Sequence, residues 1–456
     1  MGELVISKPR FDGRKLLQSV SAPTMLKKYI KEDQLFIEYD CETQVDESIL
    51  SIPLTAAILP LAWLSGSDVV VDSLDRRFKE SMDELKETFR TMFPRVSYKT
   101  EIIVDELVDN ENHNLVDGWR TGLLFSGGLD SAYTLYHNLD LKPKLVSIWG
   151  IDNFAYPGHE DHWIRSIELH REFAEKYDLE YYLVKTNVSQ ILDDIRIEHK
   201  YHKELYNGDL RGTLAHSLVL LPPVAPLSVN RFDHLLIAAS NSRLNRGRNP
   251  SGALPIFDEK IVWADLNVEH HGVLLRLYKI RELASFLNKG DLCLRVCWRS
   301  ILTDGYINCG VCEKCLRTIA CMVVEGIDPN VCGFNVDEST WETMKKMVTK
   351  YKSKGLYPVW KRIHELSGEG IKHEFYGSND FFEWYSGFDF KSIEKKWFWT
   401  DLYNSLPYGA AVILEKILHL FDVDINRTAY IRESTLEQQS IDRHPIGEEL
   451  TQTVHE

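Results

Sequence analysis

Short apolar runs alternate with helical patterns over the middle of the chain. Apolar runs at 123–125, 145–149, 181–184 and 235–239 predict four buried strands. Between the second and third runs, apolar residues recur every three or four positions over 163–177 and predict a helix with one buried face. Strands that alternate with helices in this order predict an α/β fold, in which a parallel sheet carries helices on both faces.

Residues 1–115 show a similar alternation and predict a separate N-terminal α/β domain. Their patterns predict strands at 34–39, 69–71 and 96–104 and a helix at 78–93. A polar segment at 109–114 separates this domain from the next one.

Residues 334–456 predict a mainly helical, aromatic-rich C-terminal region, which leaves 116–333 as the central domain. A stripe of apolar residues over 341–348 predicts the first of its helices, and the apolar segment 411–421 predicts the last. A polar tail begins at Asn426. The chain is therefore expected to have three parts, with candidate chemistry in the middle one.

Residues 122–131 are the most informative segment, with the sequence Gly-Leu-Leu-Phe-Ser-Gly-Gly-Leu-Asp-Ser. The pattern predicts a strand, a tight glycine turn and a helix start. Backbone N–H groups at such a turn, the helix N-terminus and the hydroxyls of Ser126 and Ser131 suit an anion. Asp130 is placed to cap the helix or to hold Mg²⁺ through water. The alternative is a glycine turn that binds no ligand.

Four of the eight cysteines have a spacing that suits a metal ion. They are Cys297, Cys309, Cys312 and Cys315. Thiolates this close in sequence can point at one tetrahedral Zn²⁺, and four of them leave no open position, which indicates a structural role. Nearby cations could offset the negative charge of such a site, namely Arg295, Arg299, Lys314 and Arg317. Disulfides are disfavoured in a chain without a secretory signal, whereas an iron–sulfur cluster is an open alternative to zinc.

The two motifs together resemble a known family. Ser-Gly-Gly-x-Asp-Ser after a buried strand resembles the PP-loop of N-type ATP pyrophosphatases, which split ATP between the α and β phosphates. A PP-loop followed by Cys…Cys-Gly-x-Cys-x-x-Cys resembles the 7-cyano-7-deazaguanine synthase (QueC) family, over roughly residues 120–330. That family activates the carboxylate of 7-carboxy-7-deazaguanine with ATP, adds ammonia and forms a nitrile.

The resemblance implies a PP-loop (adenine nucleotide alpha hydrolase-like) sheet and a set of site residues. ATP, with Mg²⁺, would be bound by Ser126, Gly127, Gly128, Leu129, Asp130 and Ser131. Zn²⁺ would be held by the four cysteines. Long extensions at both ends make the chain similar to the QueC-like proteins of bacterial antiviral defence, the QatC type and the members of CBASS operons. That likeness implies that the acceptor amine belongs to a protein.

Further candidate residues follow the predicted strand at 235–239. Arg243, Arg246 and Arg248 could neutralise pyrophosphate or a substrate carboxylate, and a solvated basic loop is the alternative. The candidate catalytic residues are therefore Asp130, Ser131 and Arg246. For Lys279, in contrast, the local pattern favours a charged surface at a helix start.

Charge and composition limit the kinds of partner and the cellular location that we expect. The net charge of −15 disfavours a broad phosphate-binding surface, and so favours a protein partner over nucleic acid. The first residues are too charged for a signal peptide, and the apolar stretch 52–64 is too short to span a membrane and predicts buried core. A cytoplasmic protein is expected.

Taken with these observations, the family resemblance implies an ATP-dependent carbon–nitrogen ligase that forms AMP. It would adenylate a carboxylate, with a 7-deazaguanine acid as first choice, and transfer the acyl group to an amine. A co-encoded protein partner is expected to bind the N-terminal domain and the aromatic segment 357–399, with Trp384 and Trp397 as contacts. The alternatives are a transfer-RNA-modifying enzyme, an ammonia-using 7-cyano-7-deazaguanine synthase, and a non-catalytic ATP-binding protein.

Overall fold

The computed structural model describes residues 2–111, 120–151, 159–206, 208–240, 252–349, 357–368 and 373–390. Within these residues eleven strands form one mixed sheet, which confirms the predicted α/β class. The strands are β1 (Glu3–Ile6), β2 (Arg10–Phe11), β3 (Lys15–Ser21), β4 (Gln34–Tyr39), β5 (Asp68–Asp75), β6 (Ile102–Val108), β7 (Thr121–Leu124), β8 (Lys144–Trp149), β9 (Tyr181–Thr186), β10 (His234–Ala238) and β11 (Asn267–His271).

The sheet has the strand order β11-β10-β7-β8-β9-β4-β3-β1-β5-β6, with β2 paired to β3. From β11 to β9 all pairings are parallel, whereas the pairings of β4 with β9 and with β3 are antiparallel. If the five parallel strands are numbered 1 to 5 along the chain, starting at β7, their order across the sheet from β9 to β11 is 3-2-1-4-5. The order reverses beside β7, and this reversal is where doubly wound sheets bind ligands.

Helices connect and cover the strands. They are α1 (Glu47–Leu50), α2 (Ile52–Ser65), α3 (Arg76–Met92), α4 (Leu129–His137), α5 (Glu160–Lys176), α6 (Asp194–Tyr201), α7 (His216–Leu220), α8 (Ala225–Ser228), α9 (Pro255–Asp258), α10 (Arg276–Glu282), α11 (Ala284–Leu287), α12 (Glu313–Val324), α13 (Glu338–Thr349), α14 (Tyr357–Ser367) and α15 (Ser378–Ser386). The crossover from β7 to β8 contains α4, and the crossover from β8 to β9 contains α5.

The parallel half of the sheet separates two hydrophobic cores. Leu123 packs into one core with α4, α10 and α12, whereas the next residue, Leu124, packs into the other with α2 and α3. The same alternation holds for Leu145 and Val146 on β8. Because successive side chains of a strand point to opposite faces, both faces are buried, as predicted.

One helical stretch, Glu47–Ser65, is apolar and long enough to cross a membrane by length and composition alone. Its most apolar window is 94% buried inside the protein. The helix α2 within it therefore belongs to the core, as the stretch 52–64 predicted, and no other described segment passes this test.

Both hydrophobic cores and the sheet cross the predicted domain boundaries. Strand β4 of the N-terminal part pairs with β9 of the central part, through Tyr39 opposite Val184. Helices α13–α15 of the C-terminal part share the core that contains α4 and α12. The described parts of all three predicted domains therefore share their cores and the sheet. That each of them is a separate folding unit, at 1–115, 116–333 and 334–456, stays a prediction.

The predicted strand at 96–104 is wrong in its first half. Strand β6 begins only at Ile102, because Tyr98 has a φ of +50° that breaks extended backbone. Thr100 instead bonds to α2 and α3: its hydroxyl donates to the Ala62 carbonyl at 2.7 Å, and its carbonyl accepts from Lys86 Nζ at 3.0 Å.

Of the two tryptophans predicted to contact a partner, Trp384 is half-buried. Trp397 and the predicted helix at 411–421 lie outside the described residues.

Candidate functional site

The glycine turn, residues 126–128, joins β7 to α4 at the point where the strand order reverses. Gly127 has a φ of +69°, in the left-handed region that favours glycine, and Gly128 is the N-cap of α4. The first N–H groups of α4 have no partner within the helix. The turn and the helix start therefore present backbone donors at the carboxyl end of the parallel strands.

His170 lies directly beneath the turn. A Cβ on Gly127 would collide with its Nε2. His170 is 1% exposed, and Nε2 has no hydrogen-bond partner among the described residues. Ser147 Oγ donates its hydrogen to the Phe125 carbonyl at 2.6 Å. His170 Nδ1 lies 3.3 Å from Ser147 Oγ and is therefore the donor in that pair, because the hydroxyl hydrogen is already used. Burial, with a further effect of Arg295, lowers the pKa of His170 to about 3, which keeps the ring neutral.

Arg295 holds the turn from the other side. Its backbone N–H donates to the Gly127 carbonyl at 2.8 Å, and its Nε donates to the Ser126 carbonyl at 2.7 Å. Its guanidinium carbon lies 5.2 Å from the centre of the Trp163 ring. The position of Arg295 in the sequence suggested that it offsets the charge of the cysteine cluster, whereas its hydrogen bonds fix two carbonyls of the glycine turn.

The two predicted serines meet at the turn. Ser126 Oγ and Ser131 Oγ are 3.2 Å apart. Ser131 Oγ donates to the Gly128 carbonyl at 3.0 Å, and the Gly128 N–H donates to Ser126 Oγ at 3.3 Å. The structure thus brings these residues together at the turn, and their role in binding ATP stays a prediction.

Asp130 binds two cations rather than capping the helix. Lys279 Nζ donates to its Oδ1 at 2.6 Å, and Arg276 lies 3.4 Å from its Oδ2. Burial raises the pKa of the Asp130 carboxyl, but the charges of Lys279 and Arg276 outweigh this, so its pKa lies below the usual value. Each carboxylate oxygen thus faces a cationic side chain, and the binding of Mg²⁺ through water at Asp130 stays a prediction.

Lys279 is the residue that sequence analysis missed. Its side chain is fully buried, and besides Asp130 it donates to the Ala239 carbonyl at 2.6 Å, at the end of β10. The predicted charged surface is therefore wrong at this position. Its burial lowers the pKa of Lys279 in spite of the opposing effect of Asp130. The local sequence carried no signal, because the partner carboxylate is 149 residues away.

A third cation approaches from α12. Arg276 NH1 donates to Thr318 Oγ1 at 3.3 Å, and Lys314 lies one turn earlier on the same face of that helix. Burial, followed by repulsion from Arg276, lowers the pKa of Lys314 to about 8. Arg276 and Lys279 thus contact the Asp130 carboxylate, and the charge of Lys314 also acts on it. The positive charge of these three side chains exceeds that of the one carboxylate and suits a polyanion.

The four predicted cysteines form one cluster. The sulfur atoms of Cys297, Cys309, Cys312 and Cys315 all lie within 4.8 Å of one another. Sulfurs around a tetrahedral Zn²⁺, at about 2.3 Å from the metal, are about 3.8 Å apart, which fits this cluster. None of the eight cysteines forms a disulfide in the structure. The cluster can hold a metal ion such as zinc.

Local backbone geometry shapes the cluster. Gly310 has a φ of +66°, and the N–H of Cys312 donates to Cys309 Sγ at 3.3 Å. The N–H of Arg299 donates to Cys297 Sγ at the same distance. Cys312 is the N-cap of α12 and Cys315 lies in its first turn, so the positive end of the helix faces the thiolates.

Two histidines brace the metal loop, residues 295–312, against α5. His162 is buried and its Nε2 lies 2.8 Å from the Ile307 carbonyl, and His159 Nδ1 lies 2.7 Å from the Ser300 carbonyl. Two histidines three residues apart in a polar segment are usually surface residues, whereas His162 is buried here because its ring packs against the metal loop. Since the same loop carries Arg295, the cysteine cluster and the glycine turn form one connected unit.

Other predicted site residues lie outside this unit or outside the described part. Arg243, Arg246 and Arg248 fall in 241–251, which the structure does not describe. Leu129 is buried and begins α4, so its contribution is packing and backbone. Comparisons of the chain with known protein families, curated proteins and solved structures find no match.

Proposed function

We propose that this chain is an ATP-dependent ligase of the PP-loop class, which adenylates a carboxylate and transfers the acyl group to an amine. The observation that carries the proposal is the glycine turn at the strand reversal, with Arg276, Lys279 and Lys314 around the start of α4. Backbone donors, two hydroxyls and excess positive charge at one point suit the β and γ phosphates of ATP.

Adenylation gives this site a chemical purpose. A carboxylate is a poor electrophile, whereas its mixed anhydride with AMP has a good leaving group. The carboxylate oxygen attacks the α phosphorus, the bond to the β-phosphate oxygen breaks, and pyrophosphate leaves. Lys279 and Arg276 would stabilise the charge that develops on pyrophosphate, and Ser126 and Ser131 would orient it. The amine then attacks the acyl carbon and releases AMP.

We take the proposed substrate and partner from the family resemblance. The first-choice acid is a 7-deazaguanine carboxylate, and the acceptor amine belongs to a co-encoded protein, as in the QueC-like proteins of antiviral defence. The cysteine cluster would hold Zn²⁺ as a structural ion, because four thiolates leave no position for substrate. Asp130 is engaged by two cations, so no step is assigned to Mg²⁺ through this residue.

Nucleotide products test the proposal. The zinc-loaded protein is incubated with ATP, 7-carboxy-7-deazaguanine and an amine, and the products are separated by chromatography. AMP and pyrophosphate are expected in equal amounts, and Asp130→Ala should abolish both, because Lys279 and Arg276 then lose the carboxylate that positions them. Asp140→Ala, which changes an exposed aspartate just beyond α4, is the matched control. ADP and phosphate as the main products would exclude this mechanism.

A further inference from the structure

Strand β6 lies at one end of the sheet, and β5 is its only partner strand within the described residues. Val69 of β5 is paired with Ile102, and its N–H donates to the carbonyl of Glu101, just before β6, at 2.9 Å. In a parallel ladder this pattern directs the backbone groups of odd-numbered residues toward β5. The N–H and carbonyl groups of even-numbered residues such as Val104 therefore point to the free side of β6.

An open apolar row crosses the outer face of the sheet and ends at β6. It consists of Val5 on β1, Val70 on β5 and Ile103 on β6, which are paired across the three strands. Val5 and Ile103 are 42% and 43% exposed, and Val70 is half-buried, so the described helices leave this row uncovered.

Acidic side chains flank the apolar row on both sides. Because side chains alternate along a strand, the neighbours of the row on the outer face are the residues two positions away. They are Glu3, Asp68 and Glu101 on one side and Asp72 and Asp105 on the other. Lys8 lies 2.9 Å from Asp72, and Lys86 lies 3.7 Å from Glu101. Five carboxylates thus meet two cations at these distances, and the excess of negative charge suits a basic partner.

We propose that the free side of β6 binds an extended segment of a partner protein, which joins the sheet as an additional strand. Backbone hydrogen bonds to Val104 and its even-numbered neighbours supply affinity, and side chains supply specificity. Outer-face residues of the added strand lie beside Glu101, Ile103 and Asp105, which match a basic, an apolar and a basic residue in turn. The residues between them lie beside Ile102 and Val104, which pack on the core, and are therefore apolar. The proposal concerns binding alone and is independent of the ligase chemistry.

Charge disfavours a second copy of this chain as the occupant. If two β6 strands paired antiparallel about Ile103, Glu101 of each copy would lie opposite Asp105 of the other. Like charges directly opposite each other destabilise a strand pair, so the complementary partner is a different protein.

Fluorescence polarisation with labelled peptides and the full chain tests this assignment. The first probe, Gly-Ser-Lys-Val-Ile-Val-Lys-Ser-Gly, has the basic and apolar pattern, and the second has glutamate in place of both lysines. Wild type should bind the lysine probe about tenfold more tightly than the glutamate probe. Glu101→Lys combined with Asp105→Lys should reverse this preference. Asp140→Lys combined with Glu175→Lys makes the same change of net charge at exposed positions away from β6 and should preserve it.

A proline variant tests the contribution of the backbone. Val104→Pro removes an N–H on the free side and leaves the bonds between β6 and β5 in place, so it should weaken binding of the lysine probe about tenfold. Val104→Thr keeps the N–H and the branched shape and should bind the probe as wild type does. Thermal unfolding of each variant shows whether the fold is retained.

Three results would overturn the assignment: equal binding of both probes by wild type, an unchanged preference after the double charge reversal at β6, or wild-type affinity in a folded Val104→Pro chain. Wild-type dimers that Val104→Pro dissociates in sedimentation would also overturn it, because they would give the free side to a second copy. Formation of AMP with a free amine reports separately on the proposed function. It should be the same in every variant, since β6 lies at the end of the sheet, far from β7.

Discussion

At Gly127 two physical requirements coincide. Its φ of +69° penalises any side chain by about 1–2 kcal/mol, and its Cα faces the ring of His170. The ring is buried and held through Ser147, so it cannot move aside. The glycine is therefore required by close packing as well as by the turn.

Gly127→Ala should lower the free energy of unfolding and the affinity for pyrophosphate together, because the added Cβ displaces the turn from His170. The matched control is Gly305→Ala, at a φ of +84° with no atom within 4 Å of the new Cβ. Urea unfolding should show that the Gly127 variant loses about 1–3 kcal/mol more than the control, the cost of overpacking. Equal losses in the two variants would mean that His170 yields to the methyl group.

His170 gives the chain a specific dependence on pH. Its pKa is about 3 in the folded chain, against an ordinary 6.5, so the unfolded chain binds one more proton between these values. Stability contributed by neutral His170 is therefore lost as pH falls below 6.5. Between pH 7 and 5.5 wild type should lose about 1.3 kcal/mol more than His170→Asn, measured by urea unfolding. Identical losses would show that His170 is protonated in the folded chain.

Single residues also differ in how well the local sequence predicts their place in the site. Ser126, Ser131 and the cysteines were identified because their chemistry is encoded in short local patterns. Lys279 was not, because its burial depends on Asp130 and Ala239, both far away in sequence. A buried lysine and a surface lysine have the same local sequence, and only packing distinguishes them.

Among the elements, strands and helices with strong patterns were predicted well. Strand β4 occupies the predicted residues 34–39, and α3 lies within one residue or two of the predicted helix. The strand at 96–104 failed because Tyr98 and Thr100 turn toward α2 and α3, a tertiary effect that alternation cannot reveal. The connection of the metal loop to the glycine turn could not be predicted from the sequence either, because it is made by hydrogen bonds from the backbone N–H and the side chain of Arg295 to two carbonyls of the turn.

That connection predicts that metal and anion binding depend on each other. Cys312→Ser should reduce zinc from about one ion per chain to none, as elemental analysis would show, and should weaken pyrophosphate binding, because Arg295 then loses its fixed position. Cys321→Ser is the control, since it changes a buried cysteine of the same helix outside the cluster. Iron and sulfide in the wild-type chain would contradict the zinc assignment. Unchanged pyrophosphate affinity in zinc-free Cys312→Ser would contradict the coupling.

On the scale of the whole molecule, the N-terminal part packs against the central sheet that carries the candidate site. Strand β4 covers the edge of β9, and Tyr39 and Thr43 donate to the carbonyls of Pro223 and Pro226 in the central part. Helix α2 packs into the core on the same face as Leu124 and Val146. The separate N-terminal domain expected from the polar break thus gives much of its apolar surface to the central sheet.

Splitting the chain within 112–119 tests this dependence. Fragment 120–456 alone should aggregate, because removal of β4 exposes the edge of β9 and uncovers one core, and unpaired edges of this kind promote association. Coexpression with fragment 1–111 should restore a soluble complex in size-exclusion chromatography, since burial of the core face drives their reassembly. Ile37→Asp, a fully buried position of β4, should prevent reassembly, whereas Glu38→Gln on the exposed side should not. A soluble, monodisperse 120–456 fragment with the Tm of the full chain would show that the central part folds without its N-terminal neighbour.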